Sequence, residues 1–339
     1  MNKPIFSLAV LNPGGRDADQ DFPDGAGQPD SAVHAPVNYH GYAAAAGGAF
    51  LKSFEAVQKR GLKNVILLLR SDLKAGLTAL QKLQAQGCRV FVSFKESGLH
   101  QVAETLSVSG NASLFPKICQ TADGALSSTE DLVAIYEAAG ARKVVFIPTP
   151  YPVDDKRWDF SIPMAERRGI YVGTREFEVP SRNHALALSA AFSLGQPVTV
   201  VNEKGRVGRK RIESLVPPHS HVELEIIEDS RSYPEYLRNM ARHRIVWQWD
   251  LSAVPGQVAG DALLCGLPCV GGNGATERLA FSSLCGHGHS LMEAREAAHR
   301  LLVDEKFYIA EGQICLSKAR QKLSFAVVRE QLETLFSER

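Results

Sequence analysis

Short apolar runs alternate with longer amphipathic stretches along the first half of the chain. Ile5 to Leu11, Asn64 to Leu69 and Arg89 to Phe94 are near-continuous apolar runs, as expected of strands buried on both faces of a sheet. Strands that alternate with helices predict βαβ units and a parallel sheet. Further strands are predicted at 122–126 and 144–147, and helices at 41–60, 71–86, 97–107 and 127–139.

The same rhythm restarts after a proline-rich stretch that begins at Pro148. Strands are predicted at 169–173, 197–201, 222–227, 245–249 and 269–270, and helices at 182–194, 233–242, 256–265 and 317–336. The pattern predicts an α/β chain with two doubly wound, Rossmann-like domains. We assign residues 1–150 to the first domain, 151–168 to a linker, 169–318 to the second domain and 319–339 to a terminal helix that packs back on the first domain.

Composition and charge narrow the class of protein. The 339 residues are 45% hydrophobic, and 38 Lys and Arg balance 37 Asp and Glu. Proteins that bind nucleic acid usually carry a basic excess, so we expect no nucleic-acid partner. No apolar run approaches the ~20 residues of a membrane span, and the stretch from Met1 to Gly15 is too short for a signal peptide. We therefore expect a cytoplasmic protein with at most peripheral membrane contact; homo-oligomerisation is left open.

A doubly wound sheet offers ligands a defined place. They bind beyond the carboxyl ends of the strands, where helix N-termini present free amides and the positive end of the dipole. Two such sheets that face each other predict one cleft between the domains. Gly14, Gly15, Gly173, Gly256 and Gln257 lie in the predicted turns, and glycine lets the backbone approach an anion closely. Ordinary turns use glycine too, so these positions alone do not decide the function.

A longer segment carries a resemblance to a known family. Asp261–Val270 is similar to the pattern E-A-x-x-x-G-x-P-V, with Asp261 for the Glu and Cys269 for the Val, and a glycine-rich turn with an acid follows at Gly271–Glu277. Ile170–Arg175 is similar to the opening of a donor domain, and Phe146–Asp154 to a P-N-G-V-D connector. In order, over residues 120–280, the chain resembles GT-B glycosyltransferases, particularly the glycogen-synthase-like (group 1) enzymes that use nucleotide-sugars.

The resemblance implies a glycosyltransferase of polysaccharide biosynthesis. Its substrates would be a nucleotide-sugar donor and a glycan, lipid-linked or small-molecule acceptor, with neither a cofactor nor a metal. Asp261, at a helix N-terminus, would bind the ribose hydroxyls, and Arg175 and Lys204 the diphosphate. Glu277 would bind donor hydroxyls or supply carboxylate chemistry. Ala253 stands where the family has a second glutamate, so a retaining or inverting outcome stays open.

The long polar loop after the first strand supplies candidates for proton transfer. An inverting transfer needs a general base near the acceptor hydroxyl, and His40 is our first candidate and His34 the second. The acids and histidines of this loop fit no familiar metal-binding spacing. Cys265 and Cys269 lack a second ligand pair nearby, so no metal site is predicted. The six scattered cysteines are predicted to be buried, reduced thiols.

Two other functions remain open at the level of sequence. A nucleotide-sugar epimerase of the 2-epimerase kind shares the two-domain shape, and it would consume the nucleotide-sugar without an acceptor. A non-catalytic protein that binds sugar nucleotides would account for Ala253. A nicotinamide oxidoreductase is disfavoured because Asn12–Arg16 lacks G-x-G-x-x-G, and no P-loop lysine follows the glycine-rich turn.

Overall fold

The structure is a computed structural model that describes residues 6–31, 33–174, 177–218, 221–229 and 231–337. The chain divides into two compact units. The first unit comprises Met1–Arg157 and Lys322–Arg339, and the second comprises Trp158–Gln321. The sequence-based boundaries at 150, 168 and 318 stay predictions.

The first unit contains a seven-stranded sheet in the order β2-β3-β1-β4-β5-β6-β7. Its strands pair in parallel, except that β2 is antiparallel to β3. The apolar runs at 64–69 and 89–94 are strands with the predicted bounds, which confirms them. The strands are β1 (Leu8–Leu11), β2 (Gln20–Asp21), β3 (Ala49–Leu51), β4 (Asn64–Leu69), β5 (Arg89–Phe94), β6 (Gly124–Ser127) and β7 (Val144–Phe146).

Helices cover both faces of this sheet. The predicted helices at 71–86 and 97–107 are confirmed, whereas the α5 helix was not anticipated because Pro116 lies inside it. The helices of this part of the chain are α1 (Asn38–Ala45), α2 (Phe54–Lys59), α3 (Leu73–Ala85), α4 (Leu99–Ser107), α5 (Asn111–Thr121) and α6 (Val133–Ala138).

The single helix predicted over 41–60 is wrong. This stretch forms α1, β3 and α2 in succession. A Cβ at Gly48 would lie 2.0 Å from the carbonyl oxygen of Leu8, so this glycine lets the chain pass close to β1 and pair with it as β3. Ser53 then starts α2, and its hydroxyl accepts a hydrogen bond from the Ala56 amide at 3.2 Å.

The second unit contains a five-stranded parallel sheet in the order β10-β9-β8-β11-β12. The chain starts in the middle at β8, builds outward through β9 and β10, and returns to add β11 and β12 on the other side. The point at which the order reverses lies between β8 and β11. All five strands were predicted, and their bounds are β8 (Ile170–Val172), β9 (Val198–Val201), β10 (Leu224–Ile227), β11 (Ile245–Trp247) and β12 (Cys269–Val270).

Seven α-helices complete the described part of this unit. Those predicted at 182–194, 233–242 and 256–265 are confirmed, while α8, α11 and α12 escaped prediction because their sequences are short or strongly charged. The helices are α7 (His184–Phe192), α8 (Gly205–Ser214), α9 (Tyr233–Met240), α10 (Gln257–Leu264), α11 (Ala275–Ala280), α12 (Leu291–Val303) and α13 (Glu305–Lys322).

The end of the chain returns to the first unit as α14 (Phe325–Ser337). One uninterrupted helix over 317–336 is therefore wrong, since α13 ends at Lys322 and the Leu323 carbonyl accepts a hydrogen bond from the Tyr151 amide at 2.8 Å. Leu332 is fully buried, and Phe336 packs edge-on against Phe91 of β5. The last helix thus completes the hydrophobic core of the first unit.

Candidate functional site

The carboxyl edge of the second unit's sheet brings the end of β8 together with the start of α10. A Cβ at Gly173, just after β8, would lie 2.3 Å from a methyl carbon of Val258, so α10 packs directly against the strand end. Gly256 is the N-cap residue of α10 and has φ of 89°, a left-handed conformation that glycine adopts without strain. The first turn of α10, whose backbone amides have no acceptor within the helix itself, therefore lies at the reversal point of the sheet, where an anion is favoured.

The Glu277 side chain lies buried against this helix terminus. It is 2% exposed, and its Oε1 accepts a hydrogen bond from Gln248 Nε2 at 2.6 Å. Its Oε2 has no hydrogen-bond partner among the residues that the structure describes. Three glycines make room for the carboxyl group: a Cβ at Gly256, Gly272 or Gly274 would lie 2.0, 2.5 or 2.6 Å from one of its oxygens.

This environment shifts the ionisation of the carboxyl group. Burial raises the pKa of Glu277 to about 7, and the nearby Asp250 carboxylate acts in the same direction. Hydrogen bonds from its own backbone amide and from Gln248, together with the Arg182 charge, lower the pKa only in part. At neutral pH the group is therefore populated in both its acid and its carboxylate form.

An ion pair ties the loop after β11 to the segment before α7. Asp250 is 4% exposed, and its Oδ2 accepts from Arg182 Nη1 at 3.0 Å. The Ser252 amide donates to Asp250 Oδ1 at 2.8 Å, and the Asn273 amide donates to the Asp250 carbonyl at 3.0 Å. The Ala253 amide in turn donates to the Asn273 side chain at 2.9 Å, so the loop and the glycine-rich turn are held together. Sequence reasoning did not identify this pair, since no spacing in the sequence joins Asp250 and Arg182.

A buried histidine was also missed. His184, the first residue of α7, is 2% exposed, and its Nδ1 lies 2.9 Å from the hydroxyl of Thr174, just after β8. Its Nε2 has no partner within the described part of the chain. Burial lowers the pKa of His184 to about 4, so the ring is neutral at physiological pH. A histidine at the start of a helix that follows a buried strand was the available signal.

Asp261 lies elsewhere on α10 than predicted. It is the fifth residue of the helix, and the predicted position at the helix N-terminus is therefore wrong; Gln257 occupies that position and is exposed. Asp261 is 1% exposed, and its two oxygens accept hydrogen bonds from the hydroxyls of Tyr233 and Tyr236, the latter at 3.1 Å. Its role in ribose binding stays a prediction, and a ligand would have to reach the carboxylate past these tyrosines.

Of the two cations expected to bind diphosphate, only Lys204 lies within the described ranges. It is the N-cap residue of α8, just after β9, and its Nζ lies 3.7 Å from Glu178 Oε2. Glu178 also pairs with Arg211 Nη1 at 3.3 Å, so the Lys204 charge is shared within an exposed network. Arg175 lies outside the described residues.

In the first unit, Gly14 and Gly15 form a tight turn at the carboxyl end of β1. The Gly15 amide donates to the Asn12 carbonyl at 3.0 Å, and a Cβ at Gly15 would lie 2.2 Å from Asn12 Nδ2. Gly14 has φ of 69°, and a Cβ there would have no heavy atom within 4 Å. Gly14 is thus a turn glycine with open space beside it, whereas Gly15 is required by the buried Asn12 side chain.

His40 lies inside α1 rather than just before it. Its ring stacks on Phe50, with centroids 3.7 Å apart, and lies 4.8 Å from the ring of His34. Its Nε2 is 4.0 Å from Asp17 Oδ2. Burial lowers the pKa of His40 to about 3, with a smaller effect of His34 in the same direction, and Asp17 opposes it. The imidazole is therefore neutral and can accept a proton, but it is a weak base.

Three other features of the described residues concern metal binding, membrane insertion and the state of the cysteines. These residues contain no group of three or more His, Cys, Asp or Glu side chains that could hold a metal ion. Among them there is also no helix that is both long enough and apolar enough to cross a membrane. All six cysteines are free and buried, which confirms the prediction of buried thiols.

Solved structures of GT-B glycosyltransferases share this fold. Anabaena HepE, in complex with UDP and glucose, is 14% identical with a TM-score of 0.64, and the match covers 98% of this chain and 100% of that one. The UDP-forming α,α-trehalose-phosphate synthase from Burkholderia xenovorans is 14% identical with a TM-score of 0.57, over 83% and 76% of the two chains. A variant of S. aureus TarM with UDP, Fondaparinux and alpha-GlcNAc-glycerol is 11% identical with a TM-score of 0.60, over 88% of this chain and 59% of that one.

These likenesses define the class of fold. The chain has the GT-B fold of two Rossmann-like domains, as predicted. No protein-family model and no curated protein matches the sequence.

Proposed function

We propose that the chain is a glycosyltransferase that moves a sugar from a nucleotide-sugar to an acceptor. The observation that carries the proposal is the N-terminus of α10 at the reversal point of the second sheet, where Gly173 lets α10 pack closely against the end of β8. Backbone amides at a helix N-terminus and the helix dipole stabilise a diphosphate, both in the bound donor and as the leaving group. HepE and TarM were solved with UDP, so a uridine nucleotide is the first donor to test.

The remaining donor contacts follow from position. Lys204 at the end of β9 would approach the diphosphate by leaving its exposed pairing with Glu178, which costs little because surface ion pairs are weak. Arg175 would add a second cation. Asp261 would bind the ribose hydroxyls once the hydroxyls of Tyr233 and Tyr236 give way.

His40 is the proposed general base for an inverting transfer. Its neutral ring can take a proton, but a base whose conjugate acid has a pKa of about 3 is far from the optimum near the working pH. A substrate hydroxyl or Asp17 close to the imidazolium would have to raise that value during reaction. His40→Ala should lower kcat and leave the donor Kd unchanged if this role is correct.

The acceptor is the least constrained part of the proposal. A glycan, a lipid-linked sugar or a small molecule is compatible with it, and work in polysaccharide biosynthesis in the cytoplasm remains part of the proposal. A donor-consuming epimerase and a non-catalytic binder of sugar nucleotides are the alternatives, the latter favoured by Ala253 in place of a family glutamate.

The first experiment is a calorimetric titration of the whole chain with a panel of nucleoside diphosphates and their sugars. We expect UDP or UDP-glucose to bind, and Lys204→Ala and Asp261→Asn to weaken binding by about threefold to tenfold each. Lys210→Ala is the matched control, since Lys210 is an exposed cation on the same helix with no ion pair among the described residues. If no nucleotide binds, the proposal is rejected.

A turnover assay separates the three functions. A transferase releases nucleoside diphosphate in the presence of an acceptor panel. An epimerase converts the nucleotide-sugar without any acceptor and without releasing the diphosphate. A binder retains donor affinity and shows neither reaction.

A further inference from the structure

The carboxyl group of Glu277 lies against the N-terminus of α10, where the proposed function places the donor diphosphate. We propose that Glu277 is a positioning residue of the donor site that takes up one proton when the nucleotide-sugar binds. The proton comes from solvent and is placed on Oε2, the carboxyl oxygen without a hydrogen-bond partner in the described structure. The inference rests on the proposed function and adds a coupling between donor binding and protonation.

A comparison of α11 with α12 shows that Glu277 does not form the capping box that a glutamate at the third helix position usually forms. Glu293 is the third residue of α12, and its Oε2 accepts from the Ser290 amide at 2.7 Å and so caps its own helix. Glu277 is the third residue of α11, yet the N-cap Gly274 has no side chain to complete such a box. The Glu277 carboxyl points instead at Gly256, the N-cap residue of α10, and bonds Gln248.

Charge explains why a proton must follow the ligand. A diphosphate ester brings two negative charges to the amides of α10, and a buried carboxylate beside it would oppose binding in a medium of low dielectric constant. Two close anions are relieved when one of them is protonated. Because the pKa of Glu277 is already about 7, protonation near neutral pH costs little free energy.

Within the described ranges, the cations near Glu277 already have other partners. Arg182, before α7, is the nearby cation that acts on it, and this guanidinium is already paired with Asp250. Asp250 and Gln248 after β11 also interact with Glu277, as do the thiols of Cys269 on β12 and Cys285 after α11. Arg278 follows Glu277 on α11, and its Nε donates to the Asn273 carbonyl.

The test is a calorimetric titration of the whole chain with UDP-glucose, whose diphosphate ester does not titrate near neutral pH. Each titration is run in two buffers of different ionisation enthalpy, because the difference in observed enthalpy counts the protons taken up. We expect about 0.9 proton per ligand at about pH 8 and no more than about 0.1 at about pH 6, since the free site is mostly protonated at the lower pH. Donor affinity should fall by up to about tenfold per pH unit above about pH 7.

Two glutamine variants separate this role from a structural one. Glu277→Gln should bind UDP-glucose with no proton uptake at either pH. Glu293→Gln removes an exposed glutamate from the same position of a neighbouring helix and should leave the uptake unchanged. UDP-glucose binding without uptake in the wild type at about pH 8, or uptake that persists in Glu277→Gln, overturns the inference.

Failure of the proposed function is a different result. It is the absence of binding by every nucleotide tested, whereas the inference fails when binding occurs without the proton. If Glu277→Gln does not fold, difference infrared spectroscopy of wild-type protein with isotope-labelled glutamate replaces it. A protonated-carboxyl band that appears on addition of UDP-glucose at about pH 8 supports the inference, and no change in that band overturns it.

Discussion

Two glycines of the second unit share a left-handed backbone but differ in their surroundings. Gly256 has φ of 89°, and a Cβ there would lie 2.0 Å from Glu277 Oε2; Gly288 has φ of 77° and open space around it. Gly288→Ala should therefore cost about 1 kcal/mol, the strain of a left-handed alanine. Gly256→Ala should cost about 3 kcal/mol or more, because the buried Glu277 carboxyl must also move. Urea unfolding of both variants measures the difference.

Equal losses for the two alanine variants would mean that the space around Gly256 is not as tight as the structure describes. Such a result would also weaken the link between Glu277 and the terminus of α10. A larger loss at Gly288 would contradict the argument from crowding altogether.

The buried Glu277 carboxyl predicts a pH dependence of stability. Its pKa is about 7 in the folded state against 4.5 for an ordinary glutamate, so the folded state binds more protons between these values. The free energy of unfolding should fall as pH rises through this range, by on the order of 3 kcal/mol, and level off above it. Glu277→Gln removes this titration. The stability of the variant relative to wild type should thus improve from about pH 5 to about pH 8, as measured by urea unfolding.

An unchanged difference between the two proteins across this pH range would show that Glu277 titrates normally. Glu293→Gln is the control, since hydrogen bonds from Ser290 lower the pKa of Glu293. No divergence between that variant and wild type is expected in the same interval.

Sequence could identify the residue types of the site but not their neighbours. Gly173 and Gly256 were predicted to belong to it because glycines in turns after parallel strands are recognisable, and Glu277 because the resemblance implies an acid after the glycine-rich turn. The pairing of Arg182 with Asp250 depends on two loops 68 positions apart, and no local pattern reports that contact. Asp261 is a second case, since its hydrogen bonds to the tyrosines of α9 became visible only in the packed structure.

At the scale of elements, α10 is held at its C-terminal end by a buried cation. Arg167 is 8% exposed and donates to the carbonyls of Gly266 at 2.6 Å and Ile162 at 3.0 Å, and to the Tyr308 hydroxyl at 2.9 Å. A positive charge is favourable at a helix C-terminus, and these acceptors would lose their donors without it. Arg167→Met should lower the free energy of unfolding by about 3 kcal/mol in urea.

Arg300→Met is the matched control for this substitution. Arg300 lies in the last turn of α12 with an exposed side chain, and its removal should change stability by no more than about 0.5 kcal/mol. If Arg167→Met were equally mild, the helix would not depend on its buried cation.

Elements were predictable where local pattern and packing agree. The apolar runs of β4 and β5 are buried on both sides, so their bounds follow from sequence alone. The prediction for residues 41–60 was wrong because the apolar spacing of this stretch fits a helix. The close contact of Gly48 with β1 instead allows the next residues to pair as a strand. Tertiary contact overrode local preference there.

At the scale of the whole molecule, the reactivity of the cysteine thiols indicates whether the chain is folded. All six cysteines are free and buried, and burial raises the pKa of Cys119 and of Cys315 to about 12. Because only the thiolate is reactive, both groups stay protonated and inert at neutral pH. We expect Ellman's reagent to modify the native chain slowly, with Cys88, at 9% exposure, reacting first. All six thiols should react rapidly once the chain is unfolded in guanidinium.

Rapid modification of several thiols in the native protein would contradict this expectation. Cys88→Ser is the control, since it should remove the earliest part of the native reaction and leave the remaining slow phase in place.

The two-unit organisation could be predicted because the strand–helix rhythm stops and restarts along the chain. The order of strands in each sheet could not, since it depends on which edge each crossover joins, and β3 was not foreseen at all. The motifs shared with nucleotide-sugar enzymes predicted the GT-B fold, although HepE and the trehalose-phosphate synthase are each only 14% identical to this chain.

The return of α14 to the first unit has a consequence for biosynthesis. Leu332 and Phe336 belong to the core that also contains Phe91 of β5, so this core lacks part of its apolar surface until α14 has been translated. The second unit, Trp158–Gln321, lies wholly before them and has all of its sequence earlier. Domains usually mature in order from the N-terminus during synthesis. Here the nascent chain has all of its second unit before all of its first, and a ribosome that stalls between Gln321 and Leu332 leaves the earlier-made unit unfinished.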